Sequence, residues 1–165
     1  MLEFVRGAAL VAATVAVGLV AGLFFGYCCS VMPALRGADD RTFVEVMQRV
    51  NVAILNGWFA AAFGGALVTT ALAAGLHVVD DGRSVLPPAA GAFVLYAGAV
   101  AVTRLRGIPL NDALAAAGPP GAVAAPGAAR ERFEGAWVRW NVVRTVLCTG
   151  ALGCLCCALV RYGGA

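Results

Sequence analysis

Apolar residues run in four long blocks, at about 7–30, 52–76, 87–104 and 141–160, and polar residues collect in the stretches between them. Each block is long enough to cross roughly 30 Å of hydrocarbon as a helix. The pattern predicts an all-α integral membrane protein, a single four-span domain over residues 1–165. Its core is a four-helix bundle made of two related transmembrane hairpins, with short juxtamembrane helices beside it. The first block follows a mixed-charge start, Glu3 beside Arg6, and no clear small-residue cleavage site precedes Cys28-Cys29. That predicts a retained span and not a removed signal.

Punctuation between the blocks sets the expected helix ends. Pro33 is expected to end or kink the first helix, and Asp39 or Asp40 to cap the second. The second helix is expected to start near Thr42 in water and to run without interruption past Asn51 and Asn56 to Leu76, with His77 at its far end and a loop over Val78–Ser84. Pro87-Pro88 suits the first turn of the third helix. Asn111 or Asp112 is expected to cap a short helix, Ala113–Ala117, before the flexible piece GPPGAVAAPGAA. Gly18, Gly22 and Gly26 form a GxxxGxxxG series of the kind that lets helices approach closely.

One stretch breaks the apolar pattern most. Arg130 to Thr145, RERFEGAWVRWNVVRT, reads as a charged amphipathic helix continuous with the last span. At about 100° per residue, Arg130, Glu134, Trp137, Asn141, Arg144, Thr145 and Cys148 share one face, with Arg132 and Arg139 roughly opposite. Ionisable groups within a span face the bundle interior, because facing lipid costs several kcal/mol each. That face is therefore expected to line a site. A second copy lies ninety positions upstream, where Phe43, Arg49 and Asn51 are spaced as Phe133, Arg139 and Asn141 are. Met32-Pro33 and Ile108-Pro109 precede the two copies, with Tyr27 and Tyr96 a little before, which is the basis for two related hairpins. Repeat interfaces in membrane proteins commonly hold the ligand.

Four spans put both long connections at one membrane face, and the polar residues gather there. Asn51, Asn56, Asn111, Asp112, Glu134, Trp137, Asn141 and Arg144 are the candidate site residues, a few polar groups in an apolar wall as a small-molecule pocket requires. The plain alternative is that they only tie helices together by hydrogen bonds. Arginines outnumber on the same face: Arg36, Arg41, Arg49, Arg104, Arg106, Arg130, Arg132, Arg139 and Arg144, against Arg6, Arg83 and Arg161 on the other. The positive-inside rule then makes the long connections cytoplasmic in a multi-pass protein of the cell membrane.

Composition sharpens this reading and excludes others. The chain is 61% hydrophobic and 13% charged, with a mean hydropathy of +0.86, which excludes an ordinary soluble domain. Its net charge of +3 is spread among acids, so no basic stripe exists for nucleic acid and none is expected as a partner. The expected partner is the lipid bilayer; a homo-oligomer is open. The six cysteines, at 28, 29, 148, 154, 156 and 157, lack metal-ligand spacing. They read as small apolar filler, with a redox role open for Cys148, which shares the polar face. His77 reads as an interfacial residue that ends a helix.

The runs VMPALRGADDRTFVEVMQRVNVAILN, IPLNDALAAAG and FEGAWVRWNVVRT, in this order against the spans, resemble the anthrone oxygenase-like family of small four-span membrane proteins, and the resemblance covers nearly the whole chain. It implies a cofactor-free oxygenase that turns an anthrone into an anthraquinone, the substrate being a lipophilic aromatic small molecule that supplies its own electrons. Such a reaction needs a base, an oxyanion stabiliser and a dry pocket. Under that resemblance Glu134 is the first choice of base and Asp112 the second. Arg144, Asn51 and Asn141 would hold the enolate oxygen, Trp137 would stack on the ring, and Asn56 and Asn111 would contact the substrate. No metal spacing, dinucleotide loop or haem ligand pair stands out, which also agrees with the rival reading, a non-enzymatic membrane module acting as a structural subunit or small-molecule carrier. Glu134 has its own structural reading, as an i,i+4 partner of Arg130.

Overall fold

The computed structural model describes residues 1–78 and 85–164. Of the loop expected over Val78–Ser84, residues 79–84, with Asp80, Asp81, Gly82 and Arg83, lie outside the described residues. All regular structure among the described residues is helical: α1 Leu2–Gly26, α2 Met32–Arg36, α3 Asp40–Ala53, α4 Gly57–Leu76, α5 Leu86–Val102, α6 Ile108–Ala116 and α7 Pro126–Gly163. Four helical units are long and apolar enough to cross a membrane: Leu2–Arg36, Gly57–Leu76, Leu86–Ala116 and Pro126–Gly163. The protein is a multi-pass membrane protein built as a four-helix bundle.

In the bundle α1 packs against α4 and α7, and α5 closes the ring against both. Its interior is made of small residues, including Ala13, Ala66, Ala73, Ala92, Ala99 and Ala151, all fully buried. Short side chains let helix axes come close, which is how packing in hydrocarbon gains contact without a hydrophobic driving force. The close approach comes from these alanines and not from the glycine series. A Cβ added at Gly22 or Gly26 would meet nothing within 4 Å, and at Gly18 only Leu152 at 3.8 Å. Large apolar side chains such as Val15, Leu19, Val68, Val94 and Val146 point outward, toward the phase that would otherwise be water.

A second core, at the long-connection end, holds Met32, Phe43, Val44, Met47, Leu114, Phe133 and Trp137. Here α2, α3 and α6 pack around the first half of α7. The repeat-related Phe43 and Phe133 meet directly, with ring centroids 6.3 Å apart and edge to face. Arg130 clasps the layer together. Its guanidinium donates to the carbonyls of Leu35 (3.4 Å), Arg36 (3.1 Å) and Ala38 (2.8 Å) around the end of α2, and it also pairs with Asp40 and Glu134.

Two expected boundaries differ in the structure. Pro33 does not end the first helix: the chain widens into a π-helical turn at Tyr27–Val31 and then carries Pro33 in the first turn of α2. The third span does the same, with a π-helical turn at Thr103–Gly107 followed by Pro109 in the first turn of α6. A proline lacks the N–H of an interior position and its ring clashes with the preceding turn; one wider turn, with Met32 N–H reaching Tyr27 O and Ile108 N–H reaching Thr103 O, absorbs both problems. The two π turns stand at the same distance from their prolines, so the hairpins share this device. As a result α6 starts at Ile108, and Asn111 and Asp112 lie inside it instead of capping it.

The second helix is also broken. It stops at Ala53, and α4 starts afresh at Gly57 because Asn56 adopts an extended backbone and its Oδ1 accepts the N–H of Phe59 at 3.0 Å. Asn56 Nδ2 donates to the Ala53 carbonyl at 2.9 Å, so one side chain ends α3 and begins α4. Asp39 caps α3 as expected, accepting the Thr42 N–H at 3.1 Å and its hydroxyl at 2.6 Å. These bonds hold the Asp39 carboxyl below its ordinary pKa, the hydroxyl bond being the larger cause.

Two outcomes follow from the caps. Asn56→Ala is expected to lower stability by about 1 kcal/mol, read as the thermal unfolding midpoint in detergent. A depressed folded-state pKa means that the contribution of Asp39 is complete above the ordinary carboxylate range and fades as pH falls through it. The stability gap between wild type and Asp39→Ala should therefore be constant from neutral pH to mild acid and close at lower pH; a gap unchanged in strong acid would contradict the cap.

Candidate functional site

The two π turns and the α3–α4 break all open onto one cavity of about 280 Å³. α1 and its π turn contribute Phe24 and Tyr27; α3 and the break contribute Val50, Asn51, Ile54 and Leu55. Phe59 and Phe63 come from α4, Thr103, Arg104, Ile108 and Asn111 from the third helical unit, and Trp137, Asn141 and Arg144 from α7. Most of this wall is aromatic or aliphatic. α7 runs unbroken through the layer and into the bundle, and its buried stripe includes Phe133, Trp137, Asn141, Arg144 and Cys148. Of the face that helical spacing predicts, Trp137, Asn141, Arg144 and Cys148 are buried, whereas Arg130, Glu134 and Thr145 are half-buried.

Arg144 is 6% exposed and makes none of the ion pairs among the described residues. Its guanidinium lies over the ring of Phe24 at 4.5 Å and that of Trp137 at 5.5 Å, so two π faces replace part of its lost hydration. Nη2 donates to Asn141 Oδ1 at 3.3 Å, while Nε is buried without a partner. Gly107 makes room for it: a Cβ there would stand 3.2 Å from Arg144 Nη1. Asn51 Nδ2 is likewise buried and unpartnered. Both residues line the cavity, each with a donor that no protein group satisfies, and a carboxylate, phenolate or enolate oxygen is the kind of partner such donors take.

Asn141 is committed elsewhere. Its Nδ2 donates to the carbonyl of Phe24, in the last turn of α1, at 3.0 Å, and lies 3.2 Å from Cys28 Sγ, while its Oδ1 receives Arg144. Both amide hydrogens are used, so Asn141 aims Arg144 instead of offering a donor to a ligand. Trp137 Nε1 donates to Asn111 Oδ1 at 3.1 Å, which fixes the indole plane at the cavity wall that both residues line.

The structure brings five of the sequence candidates together: Asn51, Asn111, Trp137, Asn141 and Arg144. The other three lie elsewhere. Glu134 is bound to Arg130 Nε at 2.7 Å in the clasp and is absent from the cavity wall. Asp112 is on the exposed side of α6, and Asn56 is the helix cap, facing a separate groove against α1 and α4. Among the described residues no carboxylate lines the cavity. Cys148 is fully buried and below the wall, while Cys28 is held by Asn141 and by Thr145 Oγ1 at 3.3 Å. His77 is buried at the opposite end, its Nδ1 against the Ala73 carbonyl at 2.8 Å. Among the described residues no three His, Cys, Asp or Glu side chains converge as metal ligands.

Sequence reasoning missed Phe24, Tyr27, Phe59, Phe63, Thr103, Arg104 and Ile108. The prolines were the available signal, since the residues one or two turns before Pro33 and Pro109 are those that the π turns rotate into the cavity. For the polar pair, Asn141→Ala is expected to cost about 1 kcal/mol, in the range for hydrogen bonds within membrane bundles. Glu134→Gln, at a partly buried i,i+4 pair that leaves Arg130 its other partners, should cost less than about 0.5 kcal/mol. Thermal unfolding in detergent gives both, and the reverse order would overturn this division of roles.

The chain matches the family model described as anthrone oxygenase over residues 55–154. The matched stretch holds Asn111, Trp137, Asn141 and Arg144 and begins just after Asn51. No curated protein and no solved structure matches the chain. With the match covering most of its length, including three of the four spans and the face of α7 that carries Arg144, the chain belongs to the anthrone oxygenase family.

Proposed function

We propose that the protein is a membrane oxygenase that oxidises the activated methylene of a flat, lipophilic aromatic ketone, an anthrone or a close relative, without a cofactor. The observation that carries this reading is the buried Arg144 guanidinium with no carboxylate to neutralise it, set beside the unpartnered Asn51 amide in an aromatic cavity. A protein retains an uncompensated buried cation at a cost of several kcal/mol. An anionic ligand or intermediate accounts for that cost. An anthrone loses a methylene proton to give an enolate whose charge sits on the ring ketone oxygen. Arg144 and Asn51 are the donors for that oxygen, Trp137 and the phenylalanines flank the rings, and stabilising the anion in a site of low dielectric raises the acidity of the bound methylene.

The enolate carbon then reduces molecular oxygen. Dioxygen adds at that carbon to give a peroxide anion, protonation gives a hydroperoxide, and loss of the remaining C–H proton with cleavage of the O–O bond leaves a carbonyl and water. Ketone methylene plus O₂ thus gives diketone plus H₂O, with the substrate supplying four electrons. Glu134 and Asp112 have no part in this scheme, because neither faces the cavity. We also place the long-connection face in the cytoplasm, on the arginine count, so that the substrate enters from that side or from the adjoining leaflet.

Oxygen uptake by the detergent-purified, chelator-treated protein with an anthrone tests the reading. Arg144→Gln is expected to lower the rate of anthraquinone formation by about 10²- to 10³-fold, the usual loss for an oxyanion donor, with helicity unchanged. Glu134→Gln should stay near the wild-type rate. Uptake no faster than the spontaneous background would favour the non-enzymatic module.

A further inference from the structure

Among the described side chains that line the cavity only Tyr27, Arg104 and Arg144 can ionise. A guanidinium serves as a fixed cation, and the phenol of Tyr27 is the group of these suited to giving and taking a proton. It is also the one tyrosine whose hydroxyl is uncommitted. Tyr96 donates to the Phe63 carbonyl at 2.8 Å and Tyr162 is bonded to Glu3, whereas the Tyr27 hydroxyl makes no hydrogen bond in the structure. Its ring is fixed against Trp137, with centroids 5.4 Å apart and planes tilted by 59°, on the opening residue of the first π turn. Trp137 in turn touches the Arg144 guanidinium, so phenol, indole and cation form one wall.

We propose that Tyr27 is the catalytic proton carrier of the oxygen–oxygen cleavage step. This assignment rests on the oxygenase reading. Tyr27 starts as the neutral phenol. The first methylene proton leaves to water at the cavity mouth, and the enolate carbon adds dioxygen. The Tyr27 O–H protonates the resulting peroxide anion, giving the hydroperoxide and a tyrosinate next to Arg144, whose charge has no other anion to meet. The tyrosinate then removes the remaining C–H proton while those electrons form the carbonyl and the O–O bond breaks, expelling hydroxide. Hydroxide takes up the proton lost at the start and leaves as water, and Tyr27 is again neutral. The first methylene hydrogen and the original phenol proton end in that water, the second methylene hydrogen stays on Tyr27, and one oxygen atom is in the carbonyl and the other in the water.

The test follows oxygen consumed, anthraquinone formed and peroxide released, for wild type and Tyr27→Phe, with an anthrone as substrate. Quenching of tryptophan fluorescence by anthraquinone reports whether the cavity still binds. Tyr27→Phe removes a hydroxyl that bonds to nothing, so helicity and quenching should match wild type. Wild type should form one quinone per oxygen. In Tyr27→Phe quinone formation is expected to fall by about 10²-fold, oxygen uptake to fall much less, and a hydroperoxide to accumulate. Coupled quinone formation within about twofold of wild type overturns the assignment while leaving the oxygenase reading intact. Loss of quenching in the variant would make Tyr27 a packing residue and also overturns it. A wild-type protein that consumes no oxygen overturns the oxygenase reading and this assignment together.

Discussion

A guanidinium taken out of water with no anion beside it is the most demanding group in this protein, and much of the surrounding architecture serves to hold it. Phe24 and Trp137 present their ring faces to Arg144, Asn141 gives it one acceptor, and Gly107 leaves it the space that any side chain would take. None of these neutralises the charge. A carboxylate partner would have been the ordinary solution, and Glu134, one turn outside the cavity on the same helix, is instead bound to Arg130. The separation of the two arginines is what distinguishes a structural clasp from a receptive site.

The π turns give that site its shape. Each span that would have been interrupted by proline instead widens for one turn and continues, so Tyr27 and Thr103 open the two widened turns at the level where the break before Asn56 also faces inward. Three departures from regular helix therefore meet at one depth. Irregular backbone in a membrane is tolerated where it is buried or lines a cavity, and here its location and the cavity coincide.

Much of this was legible in the sequence, because hydrocarbon imposes simple rules. Four apolar blocks gave the spans, and the burial of Trp137, Asn141 and Arg144 followed from helical spacing on α7. The break at Asn56 was not seen because both sides of it are apolar enough to read as one helix; the cap was visible only as an asparagine before Gly57. Pro33 was expected to end or kink the helix, and the proline alone does not distinguish either outcome from the π turn that carries the helix through it. Glu134 was ambiguous for a physical reason: a carboxylate four residues from an arginine satisfies the ion-pair pattern and the catalytic pattern equally, and only the distance to Arg130 decides between them. Tyr27 entered the sequence argument as a flank of the repeat, since nothing local says which tyrosine hydroxyl will find a partner.

The repeat is close to symmetric in sequence but not in bonding. Asn141 spends its amide on the first hairpin's backbone, while its counterpart Asn51 keeps its own buried nitrogen free. Had both asparagines been free, a flat tricyclic molecule could be turned end for end and present either edge to equivalent donors. With one committed, the pocket has a single polar pole, and the two ends of such a molecule cease to be interchangeable. Under the proposed function, regiochemistry follows from which of the two asparagines is given over to scaffolding.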